Sequence, residues 1–344
     1  MPINTNILDP MQFKLSICIP TFNRSYYLNQ LIRSILLQNN DNIEIVISDN
    51  ASTDETMSLI RGFQANHNNI SYFRCDSNVG ADRNLLRAVS VARGEYCWLM
   101  GSDDVVEPFA VQAVLSILGQ HANLAGMSVN LNIYTRELVL QKNAVSVAGG
   151  KLTVDRLFHD RDECFTRLGL YFGFFSGQII NKRLWADTIA NSEVHRHCTG
   201  FILVYIIGLM LKANPEWYFL SARCVGNRTG NDSILDEVGF YQRQVIAHKE
   251  FERTISALFP KNSAVYRNVL KLALSTYIVR DCVGYKADGI DVFTLWKLTK
   301  LYTKIYKSFI FYWRAIFPII ISPRWAIKEL RRVFGMVMRW NRGV

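Results

Sequence analysis

Apolar residues follow two rhythms along the first hundred positions. Short unbroken runs at 15–19 (LSICI), 43–48 (IEIVIS), 70–74 and 95–100 (EYCWLM) have the length and β-branched or aromatic content of buried strands. Between them the spacing turns helical. Residues 26–37 set Leu28, Leu31, Ile32, Ile35 and Leu36 on one face, a segment capped by Ser52 or Thr53 runs to about Phe63, and 82–92 is amphipathic. Alternation of strand and helix implies βαβ crossovers and a mostly parallel sheet in an α/β fold. Ligands bind such sheets beyond the carboxyl ends of the strands. That rule selects residues 21–24, 49–50, 76–80 and 101–104, all polar or glycine apart from Phe22 and Val79, and predicts that they converge.

Beyond residue 105 the pattern predicts helices over 108–118, 152–168 and 182–190. It predicts strands over 125–134, 137–140 and 174–180, the first two as a hairpin, and a turn-rich loop at 227–232 (NRTGND). Residues 240–285 read as helical hairpins. These changes predict an α/β domain over 1–238, with halves 14–115 and 116–238, followed by a helical region over 239–344. The run 201–211 has about half of the roughly 20 residues a membrane span needs, and 309–321 is interrupted by Arg314 and Pro318. Residues 1–12 are polar with two prolines, unlike a secretory signal, which predicts a cytoplasmic protein.

Charge changes this picture at one end. The chain of 344 residues is 49% hydrophobic and 20% charged, a folded composition, with a net charge of +10. Residues 295–344 carry 11 Lys/Arg and one acid, Glu329, so the rest of the chain is balanced at 28 of each. In that tail Lys297, Lys300, Lys304 and Lys307 recur at spacings of three and four, interleaved with Leu298, Leu301, Tyr302, Ile305, Phe309 and Trp313. A basic amphipathic helix bordered by Trp and Phe suits a membrane interface. A helical cap with a basic outer face is the other reading. No nucleic-acid-binding signature accompanies the charge. The seven cysteines form no Cys-x-x-Cys pair and imply a reducing compartment.

Candidate chemistry is concentrated in the acids. Ser102-Asp103-Asp104 follows the fourth strand, where paired carboxylates can hold Mg²⁺ or Mn²⁺ together with substrate phosphates, or can cap the next helix. Asp49 ends the second strand and brings another acid to the same edge, or forms an Asx turn with Asn50. Arg228 offers a fork of donors in the 227–233 loop, and 172–178 (FGFFSGQ) is aromatic and glycine-rich.

Taken together, 17–24 (ICIPTFNR), 45–56 (IVISDNASTDET), 78–84 (NVGADRN) and 94–104 (GEYCWLMGSDD) resemble family 2 glycosyltransferases of the GT-A fold, closely over about 14–115 and more loosely through Trp185. The resemblance implies a Rossmann-like GT-A sheet flanked by helices. It implies transfer of a hexosyl or deoxyhexosyl group from a nucleotide-sugar donor to a hydroxyl, in surface-polysaccharide (O-antigen-like) synthesis. It also implies a donor site lined by Pro20, Thr21, Asn23, Arg24, Asn78, Gly80, Arg83 and Ser102, with Asp49 on the base. Asp103 and Asp104 would contact ribose and a divalent cation, Mn²⁺ or Mg²⁺, on the diphosphate. The acceptor would be a lipid-linked oligosaccharide, and the tail from 295 would hold the enzyme on the inner face of the plasma membrane.

Two positions depart from the family pattern. Gly101 stands where an acid is common, and the place of a Glu-Asp pair that supplies the general base reads Thr199-Gly200. Nearby groups able to take the acceptor proton are Glu193 first, His197 second, then His195 and Asp187. The missing pair leaves open a reading as a catalytically inactive binding or scaffold subunit. A nucleotidyltransferase is the enzymatic alternative, but no glycine- and lysine-rich loop follows the first strand.

Overall fold

β1 (Phe13–Thr21) and β2 (Ile43–Asp49) form the buried centre of a sheet, with every residue of β2 buried. The structure is a computed structural model that describes residues 13–40, 42–141, 152–190 and 193–340. It divides into two compact units, residues 1–232 and 233–344.

The first unit follows the alternation read from the sequence: β1, α1 (Ser25–Leu36), β2, α2 (Thr56–Gln64), β3 (Ile70–Arg74), α3 (Ala81–Ser90) and β4 (Gly94–Leu99). β3, β2, β1 and β4 lie side by side and parallel, with Thr21 opposite Asp49 at one edge. α1 buries Leu28, Leu31, Ile32 and Ile35, each contributing about 1.5–3 kcal/mol of burial before entropy is subtracted. α2 starts later than its capping signal. Ser52 and Thr53 sit in the turn before it and bond Asn23 instead.

The second half continues with β5 (Val105–Val106), α4 (Ala110–Gln120), β6 (Gly126–Tyr134), β7 (Arg156–Phe158), α5 (Arg161–Leu168), β8 (Gln178–Asn181), α6 (Lys182–Ala190), α7 (Ile202–Ala213) and β9 (Trp217–Arg228). Among the described residues the sheet order is β3-β2-β1-β4-β8-β6-β9-β5, with β7 also on β9. The sheet is mixed: β8 runs antiparallel to both β4 and β6, while β6 and β9 are parallel.

Three expectations are corrected here. Segment 152–168 is not one helix: β7 pairs with β9 before α5 begins behind the Asp160 cap. Residues 137–140 make one bridge, Tyr134 to Leu140, rather than a strand. Residues 174–180 are a 3₁₀ turn followed by a short strand, because Tyr171, Phe172 and Ser176 are drawn into the core. The apolar run 201–211 is α7, buried on nearly all sides, which is why it carries no polar face.

The second unit is helical: α8 (Ser233–Val245), α9 (Phe251–Leu258), α10 (Ala264–Ala273), α11 (Val279–Asp288), α12 (Val292–Tyr306), α13 (Phe317–Ile321) and α14 (Arg324–Trp340). π-helical turns occur at Ile246–Glu250, Leu274–Ile278 and Tyr312–Ile316. The first carries His248 into a tyrosine-lined core, where burial pushes its imidazole down to about 4 and keeps it neutral. Among the described residues no helix is long and apolar enough to cross a membrane.

Candidate functional site

The carboxyl ends of β1 and β2 form a polar floor. The Thr21 carbonyl accepts from the Asn50 amide N–H, and Asn50 Nδ2 donates to Asn78 Oδ1 at 2.7 Å. Asn78 Oδ1 also accepts from the Gly80 N–H, and Asn50 Oδ1 accepts from the Val79 N–H. Loops 49–50 and 78–80 are thereby fixed to the end of β1. Asn23 and Ala51 hold left-handed backbone conformations (φ 52° and 66°) beside this floor. Such conformations are costly for side-chain-bearing residues, and they persist only where surrounding bonds enforce them. Asn23 is held from both ends, its N–H on Ser52 Oγ and its Oδ1 accepting the Thr53 N–H.

Asp49 is fully buried. Its Oδ1 accepts the Ser52 N–H at 2.9 Å, and its Oδ2 accepts Tyr72 Oη at 2.5 Å with Arg74 Nε at 3.6 Å. Burial and the adjoining Asp49 carboxylate push the Tyr72 phenol well above its ordinary value, so Tyr72 stays a donor. A carboxylate offers about four acceptor directions, and these two hydrogen bonds use two of them. Thr21 supplies the clearest vacancy. Its hydroxyl is buried, the residue is 3% exposed, and no described group bonds it. Buried hydroxyls without a partner are uncommon and call for an explanation such as a ligand. Pro20 pairs in register with Ser48 just before it.

Beyond β4 stands the acidic pair. Arg24 Nη1 meets Asp103 Oδ2 at 2.6 Å, and Arg24 Nη2 donates to the Asn231 carbonyl. Asn231 Nδ2 donates to the same Asp103 oxygen at 2.7 Å, leaving Asp103 Oδ1 without a partner among the described residues. Asp104 lies deeper, at 3% exposure. Ser176 Oγ donates to its Oδ2, while Asn227 Nδ2 and the Arg228 N–H donate to its Oδ1. Burial first, then the charge of Asp103, pushes its carboxyl up to about 7 against the pull of these donors.

Gly101 follows from the same crowding. A Cβ there would stand 3.1 Å from Asp103 Oδ1 and Ser176 Oγ and 3.2 Å from Asp104 Oδ2. The Gly101 N–H donates to Ser176 Oγ, so a third carboxylate at this position would displace the serine that seats Asp104. Ser102 is buried in this turn. Arg228 is buried as well. Its Nε, Nη1 and Nη2 go to the carbonyls of Asp103 and Arg136 and to Gln30 Oε1, so its fork ties four segments together rather than facing the cleft.

The two leading candidate proton acceptors stand on the segment 193–200. Glu193 is exposed and paired with Arg196 at 2.5 Å, ahead of the 3₁₀ turn Val194–His197. His197 stacks on Tyr205 with centroids 3.7 Å apart. The chain then returns to α3, where the Gly200 N–H donates to Asp82 Oδ2 at 2.8 Å. Burial raises the Asp82 carboxyl, and Arg83 beside it bonds Cys198. Asp82, Ser176, Asn227 and Asn231 were not singled out from the sequence. Ser176 lies in the glycine-rich 172–178 segment, Asn227 and Asn231 in the turn-rich 227–232 loop, and Asp82 in the 78–84 block, which are the signals the sequence offers.

The arrangement offers a polar sheet edge at β1–β2, a cationic side chain on an acidic pair, and one open carboxylate oxygen. That set suits a phosphorylated ligand lying along the sheet edge. Among the described residues no three His, Cys, Asp or Glu side chains group to hold a metal ion unaided.

Comparison with known proteins agrees with this geometry. A family model for glycosyl transferase family 2 matches residues 16–184. Abequosyltransferase RfbV of Salmonella typhimurium is 45% identical over 320 residues, covering 85% of this chain and 89% of that protein. The GalNAc(5)-diNAcBac-PP-undecaprenol beta-1,3-glucosyltransferase of Campylobacter jejuni is 34% identical over 183 residues, 52% of this chain and 57% of that one. In structure the chain is similar to S. aureus TarS 1–349 in complex with UDP-GlcNAc, with a TM-score of 0.60 and 14% identity over 93% of this chain and 92% of that one. At that identity the likeness shows the GT-A-like fold alone.

Proposed function

The chain belongs to glycosyl transferase family 2, and from that premise we propose that it moves a hexosyl or deoxyhexosyl group from a nucleotide-sugar donor to a hydroxyl of a lipid-linked glycan in O-antigen-like synthesis. One observation carries the donor site. The Thr21–Asp49 floor, with its unbonded buried hydroxyl, lies on the same sheet edge as Asp103 and the Arg24 that contacts it. In this reading Asp49 accepts a hydrogen bond from the base, and Pro20, Thr21, Asn23, Asn78 and Gly80 line the nucleoside. Arg24, Arg83, Ser102 and Asp103 face the diphosphate. Arg228 serves by positioning Asp103.

A divalent cation, Mn²⁺ or Mg²⁺, fits as a shared ion. Asp103 would offer Oδ1, Asp104 adds charge behind it, and donor phosphates and water supply the other ligands, as is common for Mg²⁺. Bound there, the ion stabilises charge on the departing nucleoside diphosphate. Arg24 contributes a fixed positive charge at the same place. For the acceptor proton we rank Asp82 ahead of Glu193 and His197, since burial brings its carboxyl closer to working pH while Glu193 is exposed and ion-paired.

Association with the inner face of the plasma membrane belongs to the same reading. On α12 Leu298, Leu301, Tyr302 and Tyr306 are buried, while Val292, Phe293 and Trp296 are exposed beside Lys297 and Lys300. Lys300 lies 3.5 Å over the Trp296 ring and Lys297 4.1 Å over Phe293. This outward face pairs apolar rings with cations, the composition that binds anionic lipid.

Thermal unfolding against a panel of nucleoside diphosphates and nucleotide sugars, with Mn²⁺, Mg²⁺ or chelator, tests the donor site. Selective binding to the native state raises the midpoint by mass action. A metal-dependent rise with one nucleotide is expected and would be lost in Asp103→Asn. A folded protein that responds to none of them refutes the donor site.

A further inference from the structure

A second concavity adjoins the acidic pair. Tyr26 and Tyr27, in the first turn of α1, stand edge to face with centroids 5.3 Å apart, and Tyr26 is 69% exposed. The Arg228 guanidinium lies 4.9 Å over Tyr27, and Arg136 Nε donates to Tyr27 Oη at 2.9 Å. With Gln30, Glu137 and Leu138 these residues line a cavity of about 330 Å³. That is within the ~300–1,000 Å³ usual for small-ligand sites.

Leu138 holds a left-handed conformation (φ 60°) that leucine rarely adopts. The turn enforces it: the Leu138 N–H donates to the Thr135 carbonyl, the Thr135 N–H to the Val139 carbonyl, and the Val139 N–H to Thr135 Oγ1. An enforced outlier lining a cavity points to a use for that shape.

The position along the sheet indicates the use. Asp49 ends β2, Asp103 follows β4 and Arg228 ends β9, and in the sheet order β9 lies on the far side of β4 from β2. The cavity is thus beyond Asp103 from the nucleoside floor, joined to it by the Arg228 Nε bond to the Asp103 carbonyl. A pyranose presents C–H faces ringed by hydroxyl groups. An exposed tyrosine ring suits the faces, and carboxylate, amide and guanidinium groups suit vicinal hydroxyls.

We propose that this cavity is an acceptor subsite that holds one pyranose unit of the glycan, with Tyr26 as stacking platform and Gln30, Arg136 and Glu137 reading its hydroxyls. The assignment rests on the glycosyl-transfer reading for its role, and on the cavity's own chemistry for its ligand class.

Saturation-transfer NMR on the full chain tests it, with methyl glycosides of mannose, galactose, glucose, rhamnose and N-acetylglucosamine as probes. At least one is expected to receive saturation that falls several-fold in Tyr26→Ala and in Glu137→Ala. Both variants should keep the nucleotide-dependent thermal rise of the wild type. Absence of transfer to every glycoside, or transfer that both variants preserve, overturns the subsite. If nucleotides stabilise the protein while glycosides fail, the subsite falls and the donor site stands. If glycosides bind in a Tyr26-dependent way while no nucleotide stabilises the chain, the pyranose site stands and the glycosyl-transfer reading is what fails.

Discussion

Replacing Asp104 by Asn removes one charge from the acidic pair while keeping the side chain's shape. Asp104 ionises at about 7, against 3.8 for a free carboxyl, because burial and Asp103 oppose its charge. At about 1.4 kcal/mol per pH unit, ionised Asp104 costs the fold about 4 kcal/mol. The sign follows from proton uptake. Between about pH 4 and 7 the native state holds a proton that the unfolded chain has released, so stability falls as pH rises through this window and levels off above it. Asn carries no such proton. The stability of Asp104→Asn relative to wild type should therefore rise by about 3 kcal/mol between pH 5 and 8, the remainder of the total falling below pH 5. For a unit of this size that is about 8 °C in midpoint. The assay is thermal unfolding of both proteins across pH 5–8.5, read as a difference so that other titrating groups cancel. A second series with Mn²⁺ and a nucleoside diphosphate should flatten the wild-type curve, because a cation beside the pair favours the ionised form. A constant offset between the two proteins over this range would refute the reasoning.

Ser176→Ala should cost about 2 kcal/mol, measured by denaturant unfolding, because it leaves the Asp104 carboxylate and the Gly101 N–H each short of a buried partner; a loss under about 0.5 kcal/mol would show that the turn does not depend on it. Charge reversal of Lys297 and Lys300 should weaken sedimentation with anionic vesicles by about fivefold or more per residue, from about 1 kcal/mol per cation, and Phe293→Ser with Trp296→Ser should weaken it at any lipid charge. Unchanged sedimentation in all these variants would remove α12 from the membrane contact. Asp82→Asn should cut sugar transfer at least a hundredfold and abolish the acid limb of its pH profile, whereas Glu193→Gln should leave the rate within a few-fold; the opposite ranking would return the base to Glu193.

Local pattern alone carried the first half of the fold. The runs at 15–19, 43–48, 70–74 and 95–100 became β1 to β4, and α1 buries Leu28, Leu31, Ile32 and Ile35 as spaced. A βαβ unit has a nearly unique solution, so its loops had to meet at one edge, and the resemblance identified the family from those loops. The second half was harder to read. The strand at 156–158 and the turns at 171–177 are set by pairing with β9 and by aromatic burial, which are long-range events with no local period.

The site shows the same division. The sequence by itself determined which acids stand after which strand: Asp49, Asp103 and Asp104 at the ends of β2 and β4. Only the tertiary structure decided their environments. It sank Asp104 beneath Ser176, Asn227 and Arg228, left Asp103 an open oxygen beside Arg24, and filled with Ser176 the space that keeps position 101 a glycine. It also spent the Arg228 fork inside the protein and brought Asp82 to Gly200, more than a hundred residues away. Residue type fixes what charge a side chain can carry. Burial and partners drawn from distant parts of the chain fix what that charge costs, and these exist only once the chain has folded.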